Sequence, residues 1–199
     1  LSHFLHSCFF LTFEFGKVFV LPMKIQNMKK LFLLLLVGSL SLTVNAQEPT
    51  VETSLSQKKV PAVKLVDMSG KAINTSELTA NGPVIISFWA TWCAPCKKEL
   101  NTIHEVYEDW VAETGVTLVA IAIDDEKTKS QVPVYVNGKA WDYTVLMDPN
   151  WDFKRAMGVN NVPHTFLVDK NGNIVYSHNN YAPGDEEKLY QELLKLSEK

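Results

Sequence analysis

Cys93 and Cys96 stand three residues apart in the stretch FWATWCAPCKKEL, directly after an apolar run. Two thiols at this spacing can ligate a metal, lock a short loop as a structural disulfide, or cycle between dithiol and disulfide and carry two electrons. Zinc takes four ligands as a rule, and neither a second CxxC nor an HxxxH accompanies this pair. A disulfide across two intervening residues closes too small a loop to restrict the unfolded chain much. The redox reading is the stronger one. It needs one thiol ionised near neutral pH, and a strand-to-helix junction supplies that through unpaired backbone N–H groups and the helix dipole. A fall from about 8.5 to about 7 would raise the thiolate fraction of Cys93 from roughly 3% to roughly half. Cys96, about one turn further on, is then placed to attack a mixed disulfide formed at Cys93.

The elements around the pair must provide that junction. VIISFWA from Val84 is a continuous apolar run, as expected of a strand buried on both faces. After the cysteines, Leu100, Ile103, Tyr107, Trp110 and Val111 recur at helical spacing opposite Lys97, Lys98, Asn101, Glu105 and Glu108, predicting an amphipathic helix ending near Gly115. Pro95 is tolerated in its first turn. Upstream, PAVKLVDMSGKAI alternates about Ser69-Gly70 like a small hairpin. Downstream, VTLVAIAID and YTVLMD read as strands, with a helix expected between Asp125 and Asp142 within limits blurred by Pro133 and Gly138. WDFKRAM reads as a short helix, and TFLVDKNGNIVYSH as two strands joined at Asn171-Gly172. A last helix opens with Asp185, Glu186 and Glu187 and turns Leu189, Leu193 and Leu196 inward. Alternation followed by a hairpin predicts an α/β fold: a mixed central sheet with helices on both faces and an N-terminal hairpin extension.

The 199-residue chain, 46% hydrophobic and 21% charged, suits one globular domain. Its N-terminal part reads differently. MKKLFLLLLVGSLSLTVNAQ carries two lysines, an apolar run from Leu31 to Val44, and Val44 and Ala46 placed like a cleavage signal, so residues 23–46 read as a signal peptide cleaved after Ala46. The run is too short and too diluted by Gly38, Ser39 and Ser41 for a retained span, and the mature chain is expected not to insert in a membrane. Residues 1–22, which include Cys8, precede the first methionine and read as an over-extended start. Residues 47–60 are polar and aperiodic, a flexible lead-in to a domain over 61–199. Removing residues 1–46 lowers Lys plus Arg from 19 to 15 and Asp plus Glu from 22 to 21, moving the net charge from -3 to -6. With no basic footprint, nucleic acid is not an expected partner.

Together FWATWCAPCKKEL, GVNNVPHTFLVDKNG and YAPGDEEKLYQELLKL resemble the exported TlpA/ResA-like thiol-disulfide oxidoreductases of the thioredoxin superfamily over roughly residues 61–199. The resemblance implies a thioredoxin-like fold and a periplasmic location. It makes Cys93 the nucleophile and Cys96 the resolving thiol of a redox-active disulfide, with no further cofactor. It also implies that Pro163 is the cis-proline against the cysteines, that the backbone of Val162 pairs with an extended substrate chain, and that Trp92 packs beside the pair. Glu99, three residues after Cys96 on the same helical face, matches an acid that tunes the cysteines in ResA-like proteins. Thioredoxin instead has a buried acid six residues before its first cysteine, where this chain has Ser87. Glu99 is therefore expected to accept the Cys96 proton or tune the pair.

His164, directly after Pro163, is read as pointing outward from a strand end, with an orientation toward the cysteines as the alternative. His104 and His178 read as surface or helix-face residues. The expected activity is reduction of disulfide-bearing envelope proteins, supplied by a membrane-linked electron donor. A Cu(I) carrier using Cys93, Cys96 and His164 is the alternative from another class, weakened by the lack of Met or further His beside the cysteines. A peroxidase ranks last, since it expects a Thr-rich peroxidatic motif.

Overall fold

A computed structural model describes residues 58–197. The proposed leader (residues 1–46) and most of the lead-in, up to residue 57, lie outside the described residues. The strands are β1 (Lys64–Asp67), β2 (Ala72–Asn74), β3 (Val84–Trp89), β4 (Thr117–Ala122), β5 (Thr144–Met147), β6 (His164–Val168) and β7 (Ile174–Asn179). The helices are α1 (Ala94–Thr114), α2 (Gln131–Lys139), α3 (Asp152–Met157) and α4 (Asp185–Ser197), with a 3-10 turn at Thr75–Glu77.

All seven strands form one sheet in the order β2-β1-β5-β4-β3-β6-β7. β3 runs parallel to β4 and β4 to β5, whereas β6 and β7 are antiparallel additions on one side and β1 and β2 on the other. Every residue of β3 is buried, as its unbroken apolar run requires of a central strand. Successive side chains on a strand face opposite ways. Ser87 on β3 and Thr165 on β6, paired in register, accordingly share one face, and Phe88 and His164 share the other. On that second face Phe88 packs on Phe153 of α3, with ring centroids 5.4 Å apart, and on Phe166 at 6.0 Å. The Ser87 face lies under α1, whose Trp110 stacks on Tyr190 of α4 at 5.1 Å.

α1 ends where Gly115 takes a left-handed φ of 67°, its N–H donating to Val111 O, a backbone state that costs glycine little. Val111 itself is exposed, so the buried stripe of α1 is narrower than its sequence spacing suggests. Leu189 and Leu193 of α4 are fully buried, while Leu196 is partly so. Lys58–Val60, read from sequence as lead-in, are paired with the β6–β7 hairpin: Val60 N–H donates to Gly172 O and Ile174 N–H to Lys58 O. Aperiodic sequence does not reveal such pairing, because backbone groups carry it and side-chain pattern does not.

Candidate active site

Three parallel strands end on the same edge of the sheet, and each is followed at that edge by a residue that organises it. β3 leads through Thr91 and Trp92 to Cys93, β4 to Asp124, and β5 to Asp148. This is the edge where open α/β sheets place their chemistry. Cys93 is the N-cap of α1, with Pro95 in the first turn, and its Sγ accepts a hydrogen bond from Cys96 N–H at 3.3 Å. The two cysteines are joined as a disulfide, Cα atoms 5.4 Å apart. Cys93 is 5% exposed and Cys96 fully buried, so an incoming sulfur can meet only the first.

Asp124, wholly buried, holds the approach to the disulfide. Its Oδ2 accepts from Thr91 N–H at 2.9 Å and its Oδ1 from the Thr91 hydroxyl. Asp148 caps α3 by accepting from Lys154 N–H at 2.8 Å and Phe153 N–H at 3.3 Å, and burial pushes its carboxyl above the usual range despite those bonds. Neither acid stood out in the sequence. The one signal was an acid at the end of each apolar run, in AIAIDD and TVLMD, where a strand passes from core to edge.

On the α1 face beneath the cysteines lies a second polar cluster. Glu99, 1% exposed, accepts at Oε1 from the Thr165 hydroxyl at 2.8 Å, and Thr165 Oγ1 shares a 3.0 Å hydrogen bond with Ser87 Oγ. His178 Nε2 lies 2.8 Å from the same Oε1, its side chain only 13% exposed. The surface reading of His178 is thus overturned: antiparallel pairing sets His178 of β7 opposite Thr165 of β6 and turns both toward α1. Glu99 Oε2 is buried with no hydrogen-bond partner among the described residues. Ser87, at the position of thioredoxin's acid, belongs to the same cluster through Thr165.

The remaining expected residues lie just before β6, at its start, and directly before Cys93. The Val162–Pro163 peptide is cis, Val162 is half-buried and Pro163 buried. Trp92, the residue directly before Cys93, is 59% exposed and stands out from the surface. His164 does not point freely outward. Its ring is stacked on Phe166 at 4.3 Å and half-buried, and Nδ1 has no partner among the described residues.

Burial holds the His164 imidazole below its ordinary range, with His178 and Lys58 depressing it further. The folded state therefore resists a proton that the unfolded chain accepts, so this contribution to stability is present above roughly pH 6.5 and lost as pH falls. Urea unfolding should show a lower midpoint at about pH 5 than at about pH 8, and His164→Gln should remove part of that difference. An undiminished difference in the variant would mean that other groups carry it.

The Redoxin family profile matches residues 55–194. The thiol-disulfide oxidoreductase ResA of Bacillus thuringiensis (strain Al Hakam) is 35% identical over 118 residues, 59% of this chain and 66% of that protein. The thiol:disulfide interchange protein DsbE of Yersinia pestis is 32% identical over 171 residues, 83% of this chain and 85% of that protein. Among solved structures, a thioredoxin-like protein from Porphyromonas gingivalis is 46% identical with a TM-score of 0.63, covering 70% of this chain and 92% of its own. The fold is thioredoxin-like, and the chain belongs to the Redoxin family, among the TlpA/ResA-like thiol-disulfide oxidoreductases of the thioredoxin superfamily.

Proposed function

We propose that this protein reduces disulfides in envelope proteins, using Cys93 and Cys96 as its redox centre. The observation that carries this reading is the Cys93–Cys96 disulfide seated at the N-terminus of the 21-residue α1, with the buried Glu99 one turn behind it. In the reduced protein the Cys93 thiolate, favoured by the helix N-terminus, attacks a substrate disulfide and releases one substrate thiolate. Cys96 then gives its proton to Glu99 and attacks Cys93 Sγ. The Cys93–Cys96 bond forms as the Cys93–substrate bond breaks, and the second substrate thiolate leaves. Two electrons pass to the substrate in total, and its two thiolates take their protons from solvent.

Val162 and Pro163, just before β6, supply the backbone against which an extended substrate segment lies, and the exposed Trp92 adds an apolar contact beside it. The reading carries with it export to the periplasm with cleavage after Ala46, a lead-in that joins the fold by Lys58, and a membrane-linked donor that returns the disulfide to the dithiol. Among the described residues no helix is long and apolar enough to cross a membrane.

The direction of transfer is tested by the reduction potential of the pair. The full-length chain carrying Cys8→Ser, in which Cys93 and Cys96 are the two remaining thiols, is equilibrated with glutathione and dithiothreitol buffers and read by thiol labelling. A value near thioredoxin's, about -270 mV, is expected; one near about -120 mV would make the protein an oxidant and overturn the reductase reading.

A further inference from the structure

The two groups that hold Glu99 converge on one oxygen. Thr165 Oγ1 and His178 Nε2 both lie 2.8 Å from Oε1, one from β6 and one from the residue opposite it on β7. The other oxygen, Oε2, is buried and without a partner among the described residues. An unpaired buried acceptor is costly, and a role in redox chemistry is one reason a site keeps one. A donor of the right kind becomes available on the same helical face when the disulfide is reduced: the Cys96 thiol, fully buried and three residues before Glu99.

A carboxylate held at one oxygen by two donors from a paired strand couple cannot turn freely, so its second oxygen keeps one direction. We propose that His178 is a positioning residue for the resolving step, holding Glu99 by Oε1 together with Thr165 so that Oε2 stays presented to the Cys96 thiol. This rests on the reading of Glu99 as the proton acceptor and adds what keeps that acceptor aimed. In the step, the Cys96 S–H proton goes to Glu99. The Cys96 sulfur then attacks Cys93 Sγ, and the departing substrate thiolate takes a proton from solvent. His178 neither gains nor loses a covalent bond.

Other charged or titratable groups surround the pair. His164 of β6 and Asp185 of α4 lie within electrostatic reach of His178, and Tyr176 of β7 and Tyr181 of the following loop within reach of Glu99. Neither tyrosine hydrogen-bonds Glu99 among the described residues: Tyr181 OH engages Glu186 and Thr102. Thr165 and His178 are left as the anchors.

The test follows reduced full-length protein carrying Cys8→Ser as it reacts with dithiobis-nitrobenzoate, which releases one chromophoric thiolate when Cys93 attacks and a second when Cys96 resolves the mixed disulfide. His178→Ala is expected to slow the second phase about tenfold, equivalent to about 1.4 kcal/mol, and to leave the first unchanged. His178→Gln, whose amide N–H can still donate to Oε1, is expected to restore most of the loss. A second phase of wild-type speed in His178→Ala alongside a slowed Glu99→Gln would overturn the role of His178 and leave Glu99 standing. An unaffected Glu99→Gln would remove the acceptor and this inference with it. Equal slowing of both phases, or a Gln variant as slow as the Ala variant, would overturn positioning through the hydrogen bond.

Discussion

Replacing Cys93 by Ala is expected to lower disulfide reduction at least about a thousandfold, on the scale by which deleting the nucleophile disables other covalent catalysts. Cys96→Ala is expected to behave differently. It should attack a substrate disulfide once and stop as a stable mixed disulfide at Cys93, visible as a mass increment that dithiothreitol removes. The asymmetry follows from placement. Cys93 caps α1 and keeps 5% exposure, whereas Cys96 lies wholly inside the helix's buried face and has no route to a bulky substrate. The first thiol also gains from the helix N-terminus, which favours its ionised form, and exchange rate depends on the thiolate fraction. Trapping through Cys96 in Cys93→Ala would show that the order of attack is reversed.

How much of this could be read from sequence depends on how local the determining interaction is. The β3 run, the α1 stripe and the Asn171-Gly172 turn are set by neighbours within one or two turns of chain, and each element appears where its period predicts it. The same holds for Glu99, whose spacing from Cys96 places it on the same side of α1. His178 is a different case. Its partner Glu99 is 79 residues away, and what brings them together is the β6–β7 register, which turns His178 inward beside Thr165. A one-residue slip in that register would have put His178 on the opposite face, so no inspection of VYSHNN by itself could place it. Asp124 is similar: it meets Thr91 across 33 residues only because β3 and β4 run parallel in register. The exposure of Trp92 also has a local cause. Its neighbour Thr91 is pinned to Asp124 by both N–H and hydroxyl, and Cys93 N–H donates to Ala90 O, which fixes a tight turn with Trp92 at its outer side.

That dependence makes Asp124→Ala the substitution outside the cysteines with the largest expected cost. Asp124 is wholly buried and accepts two hydrogen bonds from Thr91. Each bond to a carboxylate nets about 1.5 kcal/mol or more, and the variant also strands a buried N–H, so a loss of about 3 kcal/mol or more is expected. At a urea slope of about 1–3 kcal/mol/M, the unfolding midpoint should drop by about 1 M or more with the slope unchanged. Thr91→Val removes the hydroxyl bond but keeps the N–H bond, and should cost about half as much. The functional consequence is separable from the thermodynamic one. The Thr91 anchor sits two residues before Cys93, so freeing it loosens the turn that delivers the nucleophile to the start of α1, and the reactivity of Cys93 toward an alkylating agent should change in the folded variant. If Asp124→Ala unfolds at the wild-type midpoint and alkylates at the wild-type rate, the Asp124–Thr91 contact contributes to neither stability nor reactivity, and α1 alone positions the thiol.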